Sequence, residues 1–411
     1  MARRIAIPDL RFAALCFAGA ALPWSKAGLS IGMGLLLLAS LLHARPLGTF
    51  RSAVGAASLG MMLPLLISAL TSEDLARGWK EWTSFWPVLF PFLGAAAVRD
   101  ARRPRLFLAV LVVSTTAGTL PLLAHWWENF ERYGELRRWF VPPTNIWLYT
   151  LSVCTGAFVS WSLLLKSRRA GARGAWGLVF ALHLAAVLST RRRMLILICC
   201  GILAWMTARG RGGRWTARRG VLAVGVLAAL LATAFLAEPR IQAFLQPAKV
   251  LQQEPTRPLM WQFALEEFQR SPVIGTGLGD LRASLHEFAD QEEARIAAEN
   301  ERLPAEEQVH VNLHHSHLHS NFMHTLAVAG GLGLLGVLIY LLTTARVLLR
   351  GLRSCDAAVL GCAAWALLFF GGISDASLFS SSRLSAFTIL FAYAWGMLLR
   401  PQTETSDAAV D

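Results

Sequence analysis

The chain has 411 residues, 55% of them hydrophobic and 16% charged, with a formal net charge of +13. A soluble domain has about 25% charged residues, so the composition argues against a water-soluble fold. The basic residues fall mostly in short loops, which assigns them to membrane orientation and argues against nucleic acid as a partner.

Apolar runs of about 15–25 residues suit helices that cross a bilayer, and the ~10-residue alternating segments of a β-barrel are not seen. The fold class read from the sequence is therefore an all-α polytopic membrane protein. Twelve spans are predicted, over 8–24, 27–44, 52–70, 83–98, 104–124, 144–165, 175–190, 194–208, 220–237, 320–345, 355–373 and 384–399. The first follows a charged start, MARRIAIPDLRF, with no small-residue cleavage site after it, and reads as a retained helix. The first two spans also allow a re-entrant hairpin around PWSKAG. The six cysteines lie in or beside apolar runs, which argues against a disulfide framework or a cysteine-ligated metal.

With the N-terminus in the cytoplasm, the loops HARPLGTFR, RDARRPR, KSRRAGARG, ARGRGGRWTARR and ARVLLRGLRS lie inside and are strongly basic. TSEDLARGWKEW, HWWENFERYGELRRWFVPP, the segment 238–319 and SDASLFSSSR lie outside and mix both signs. The expected organisation is nine spans in 1–237, a large periplasmic loop in 238–319, three spans in 320–400 and a cytoplasmic tail in 401–411. One loop breaks the rule. STRRRML puts Arg191, Arg192 and Arg193 on the outside, where cations at a membrane edge are functional candidates; snorkelling to headgroups is the alternative.

In the large loop, TRPLMWQFALEEFQR reads as an amphipathic helix opening at Arg257 and carrying Trp261. SPVIGTGLGDL has the glycines of a phosphate turn but lacks the Lys-Ser/Thr of a P-loop, so it reads as a packing turn. The acid-rich stretch after it reads as one or two surface helices.

Six of the ten histidines fall between His310 and His324. Their spacing matches no closed tetrahedral metal site, and no metal is expected. His310, His314, His315 and His317 read as loop residues. His319 precedes Ser320 and Asn321, which can cap a helix, so its imidazole is placed at the membrane–water boundary as a candidate general base. Gly330, Gly331, Gly333 and Gly336 in the following span read as helix-packing residues.

These segments resemble the superfamily of O-antigen ligases and O-antigen polymerases. HSNFMHTLAVAGGLGLLGVLIYL is similar to its histidine signature, with His319 at the histidine, Ser320 beside it and His324 where glutamine is commoner. STRRRMLIL resembles its Ser/Thr-Arg segment, and RPLMWQFALEEFQRSPVIGTGLGDL its Arg-x-x-x-Trp helix with a Pro-x-x-Gly-x-Gly exit. The triple arginine leaves open which of Arg191, Arg192 and Arg193 is the family's, and His317 rivals His319.

The resemblance implies a GT-C-like glycosyltransferase in a bacterial inner membrane, with both termini cytoplasmic and a periplasmic site. The implied donor is a glycan on undecaprenyl diphosphate, and the implied acceptor is a sugar hydroxyl of lipid A–core. Arg191 and Arg257 would clamp the diphosphate and His319 would act as base, with no cofactor. Arg192, Arg193, Trp261, His317, Ser320 and Asp375 would help bind substrate, and membrane lipids would flank an apolar groove for the donor tail. The chain ends at RPQTETSDAAVD without the longer extension expected of a protein O-oligosaccharyltransferase. That argues against a protein acceptor; the arginine- and histidine-rich outer face, which suits a phosphorylated lipid A–core, favours the ligase over the polymerase, the harder rival. A secondary transporter is the non-enzyme alternative, and it would need an ionisable group near the midplane.

Overall fold

The computed structural model describes residues 7–42, 51–133, 146–190, 192–209, 216–237, 256–304, 308–309, 311–315, 317–374 and 377–400. Among these the secondary structure is helical throughout, without strands. The helices are α1 (Ile7–Ala21), α2 (Lys26–Leu41), α3 (Ala53–Leu70), α4 (Leu75–Thr83), α5 (Phe90–Asp100), α6 (Arg105–Tyr133), α7 (Ile146–Lys166), α8 (Ala170–Ser189), α9 (Arg193–Arg209) and α10 (Ala217–Ala237). After a gap come α11 (Thr256–Arg270), α12 (Leu281–Asn300), α13 (Asn321–Gly351), α14 (Ala357–Ser374) and α15 (Ser381–Leu398).

Each apolar run read from the sequence coincides with a helix, though not always with one long enough by itself to cross a membrane. By length and composition, Ala53–Leu70, Leu148–Lys166, Ala170–Ser189 and Asn321–Gly351 are long and apolar enough to cross a membrane. Shorter apolar helices cover Lys26–Leu41, Arg105–Pro121, Met194–Arg209, Ala357–Ile373 and Arg383–Leu398. The run expected over 83–98 differs most. It is a 3-10 turn at Trp86–Leu89 followed by α5, whose eleven residues reach only about 16 Å. Pro87 and Pro91 lack the amide donors a continuous helix needs there. Its side chains from Phe90 to Val98 are all buried, so α5 is an internal helix rather than one facing lipid.

The core gathers around α5, α7 and α15. Leu148–Ser160 and Arg383–Gly396 are buried without a break. Such all-round burial needs apolar residues on every face, which explains why these segments show no helical stripe. On the outside, α2 and α3 expose Ile31, Leu35, Leu38, Leu59, Leu63 and Leu70, a lipid-facing pattern. α1 and α2 form a hairpin capped at Ser25, whose Oγ accepts the Gly28 amide at 3.0 Å.

α13 is broken. Gly330 has φ 60° and ψ −159°, a conformation essentially reserved for glycine. At the break the SPVIGTG turn lies against the helix in a strand-like pairing. Gly331 and Leu332 donate to the carbonyls of Pro272 and Val273, at 2.8 and 3.2 Å. Thr276 and Gly277 donate to those of Ala327 and Val328, both at 3.0 Å. The Ser68 hydroxyl of α3 also donates to Val328 O. The turn expected from the sequence is therefore a packing element. Gly330, expected to serve helix packing, is instead the break point. Gly336 does pack helices: a side chain there would sit 2.6 Å from Gly60 O of α3.

Candidate functional site

The site is assembled at one end of the bundle. α12 fixes the strap that follows it. Leu281, Leu285, Ala289 and Ile296 bury one stripe of α12, leaving polar residues to hold the strap. Asn300 brackets Val309, its Nδ2 donating to Val309 O at 2.7 Å and its Oδ1 accepting Val309 N at 2.9 Å. Farther along, Leu313 N donates to Glu293 Oε1 at 2.8 Å. His314 Nε2 lies 3.3 Å from Asp290 and 3.6 Å from Glu293. Leu313 and Leu318 are fully buried and anchor the strap from below.

His319 ends the strap in a left-handed conformation, φ 49°, the one such non-glycine residue among those described. That conformation costs about 1–2 kcal/mol and is the kind of strain that gathers at functional sites. Next, Ser320 caps α13, its Oγ accepting Met323 N at 3.4 Å. Asn321 is buried and accepts the amide of Leu378 at 2.8 Å, which ties the start of α13 to the turn before α15.

The rings of His315 and His317 both pack against that of His319, each with its centroid 4.7 Å away. Burial pushes its pKa down to about 3, helped by His317, His315, Arg257 and Arg383. His317 is pushed down to about 4 by burial, then Arg383, then His315. Both imidazoles are therefore neutral at pH 7 and can accept a proton.

Of the residues expected from sequence, Arg192, Arg193, Arg257, Trp261, His317, His319 and Ser320 are described. Arg257 is half-buried and close enough to act on His319. Trp261 follows one helical turn later, its indole Nε1 buried without a hydrogen-bond partner. Arg192 is half-buried at the start of α9. Leu195 packs near Gly371, whose neighbour Gly372 abuts Asn321, so Arg192 belongs to the same end of the bundle. Arg193 opens α9. Arg191, Asp375 and His310 lie outside the described residues.

Sequence reasoning missed Arg383 and underrated the histidines. Arg383 sits at the buried start of α15, 8% exposed, and acts on both His317 and His319. In sequence it looked like one loop cation beside serines. His315 and His317, expected to be solvated, pack against His319 instead. Among the described residues, no group of three His, Cys, Asp or Glu side chains is arranged to share a metal ion.

A cavity of about 250 Å³ adjoins this cluster, lined by Arg77, Arg282, Arg383, Glu81, His317 and Phe379 among others. It shares His317 and Arg383 with the His319 cluster; Arg257 and His319 are not among its lining residues.

The apolar helical bundle, with cations and neutral histidines gathered at one end, defines an α-helical membrane protein with a polar site. Residues 176–338 match the family model described as O-antigen ligase. This segment, less than half of the chain, is similar to a family of glycosyltransferase-like ligases and polymerases that act on lipid-linked polysaccharides. The match includes Arg192, Arg257, Trp261 and His319, while Arg383 lies beyond it. No curated protein is matched by the chain.

Proposed function

We propose that this protein is an O-antigen ligase, moving glycan from undecaprenyl diphosphate to a sugar hydroxyl of lipid A–core at the periplasmic face of the inner membrane. The observation that carries this reading is the cluster in which neutral His319 is held beside Arg257 and Arg383 at the mouth of a membrane helix.

In this mechanism His319 accepts the proton of the acceptor hydroxyl. The hydroxyl oxygen bonds to the anomeric carbon from the face opposite the diphosphate. The carbon–oxygen bond to the diphosphate breaks, the leaving group keeps the electron pair, and the anomeric centre inverts. Guanidinium forks suit phosphate oxygens and stabilise charge that develops as the bond breaks. Arg257, Arg383 and one of Arg191, Arg192 and Arg193 hold the leaving diphosphate, and no metal is required. His317 and Trp261 help position substrate; Ser320 contributes through its cap. Asp375 is assigned to orienting an arginine or His319.

An imidazole of pKa about 3 is a weak base. Burial is the main cause of the low value, and a dianionic donor beside Arg257 and Arg383 offsets only their smaller share of it, raising the pKa part of the way when the donor is bound. The apolar helices are assigned as the membrane bundle, with the short α5 and the turn before it enclosed within it, both termini cytoplasmic and the His319 end periplasmic.

Reconstitution of the purified chain with undecaprenyl-diphosphate glycan and lipid A–core tests the reading. Glycan on lipid A–core supports ligation, provided His319→Ala abolishes it. Lengthening of glycan on its own carrier would identify a polymerase instead. Activity lost to EDTA and restored by a divalent ion would sink the metal-free step.

A further inference from the structure

The cavity beside the His319 cluster carries cations beyond those assigned to the donor. Arg77 and Arg282 line it beside Arg383, which it shares with the donor clamp, and Glu81 is the carboxylate among its lining residues. Phe379 supplies an aromatic wall, its ring 4.0 Å from that of His324 and 5.1 Å from that of Phe85. The N-termini of two long helices, α12 at Leu281 and Arg282 and α15 at Ser380 and Arg383, also line it. Asp280, which could have capped α12, instead accepts the amides of Glu73 and Asp74 at 2.8 and 3.0 Å. Guanidinium groups and helix N-termini both favour an anion. An aromatic face with a single carboxylate suits a sugar ring and its hydroxyls. At about 250 Å³ the cavity is smaller than a typical whole-ligand pocket of about 300–1,000 Å³. It therefore fits one substituted sugar rather than an oligosaccharide.

We infer that this cavity binds a phosphorylated sugar of the acceptor glycan, so that the enzyme selects acceptors by their phosphate. The inference rests on the ligase reading and adds a specificity subsite to it. The position supports the acceptor over the donor. The cavity walls come largely from α4, the start of α12 and the turn into α15, with His317 of the strap and His324 of α13 closing it, and Arg257 is not among them. His317 and Arg383 form the shared boundary of the two regions, lining the cavity and acting on His319. An acceptor sugar anchored there presents a neighbouring hydroxyl toward His319.

The test uses the full chain in lipid nanodiscs. Its probes are lipid-free core oligosaccharide carrying its sugar phosphates and the same material after phosphatase treatment. Wild type should bind the phosphorylated form more tightly, and Arg282→Gln with Arg77→Gln should weaken it by about tenfold or more, the scale of charged hydrogen bonds. Binding of the phosphatase-treated form should not change, and Arg282→Lys should restore part of the discrimination. Arg282 is exposed, so its replacement leaves the fold intact. Equal weakening for both probes, or no weakening, overturns the inference. So does a raised KM for the undecaprenyl-diphosphate donor with unchanged acceptor binding, because the cavity would then belong to the donor. Phosphate discrimination in a protein that lengthens glycan on its carrier would keep the subsite and remove the ligase reading. Ligation that is insensitive to both variants would do the reverse.

Discussion

The side-chain carbonyl of Asn321 accepts the backbone amide of Leu378 at 2.8 Å. Through this one bond, the residue two places after His319 fixes the turn that delivers Arg383. Replacing Asn321 with leucine leaves that buried amide without its acceptor, at about 1–3 kcal/mol. Gly372→Ala attacks the same joint from the other side, because a methyl group there would collide with the Asn321 amide. Both variants are expected to melt earlier in detergent and to transfer glycan more slowly, while Asn321→Asp keeps the acceptor and most of the rate.

Removing the base should cost about 10²–10⁴-fold in rate. His319→Ala is therefore expected to lose transfer while still retaining radiolabelled donor on the purified protein. If His317→Ala is the more damaging of the two, the roles of the imidazoles are exchanged.

The pH profiles should separate free enzyme from donor complex. In the free enzyme His319 titrates near pH 3, so kcat/KM for the donor should show no acid limb from His319 between pH 5 and 8. With donor bound, the arginine charge is neutralised and the acid limb of kcat should move to higher pH. Coincident limbs would argue against activation by the donor.

Stability has its own pH dependence. His317 and His319 titrate below the ordinary value of 6.5 in the fold, so the unfolded chain binds more protons between about pH 3 and 6.5. Stability from these groups is complete above pH 6.5 and is lost as pH falls through about 4 and 3. The melting temperature of wild type should drop on acidification through this window more steeply than that of a His317→Gln, His319→Gln double variant.

Arg257→Lys keeps the charge but loses the fork. It should lower kcat by about 10–100-fold, and Arg257→Ala by about 10²–10³-fold, the scale for removing a donor to developing charge. Single-turnover rates at saturating donor distinguish this from weaker binding.

Much of the bundle is legible in the sequence because lipid and core demand the same thing of a helix, an unbroken apolar run. The same redundancy hides depth. Nothing in WPVLFPFLGAAAV distinguishes the short internal α5 from a longer apolar helix except Pro87 and Pro91. Glycines are ambiguous for a related reason: Gly330 and Gly336 look alike, yet one breaks the backbone and the other admits a neighbouring helix. At the site, Arg257, Trp261 and His319 stand in motifs whose spacing is local. Arg383 is distant in sequence and reaches His319 only through tertiary packing, so no local pattern announces it. Arg77 and Arg282 escape notice likewise.

The break at Gly330 has a mechanical consequence. It leaves Asn321–Ala329 as a stub of about 13 Å, bolted to Ser68 and to Thr276–Gly277. The longer part of α13 is tied to the same turn through Gly331 and Leu332, so the break is a corner held on both arms. The turn braces that corner like a gusset, and the stub that follows His319 keeps one angle to the rest of its helix.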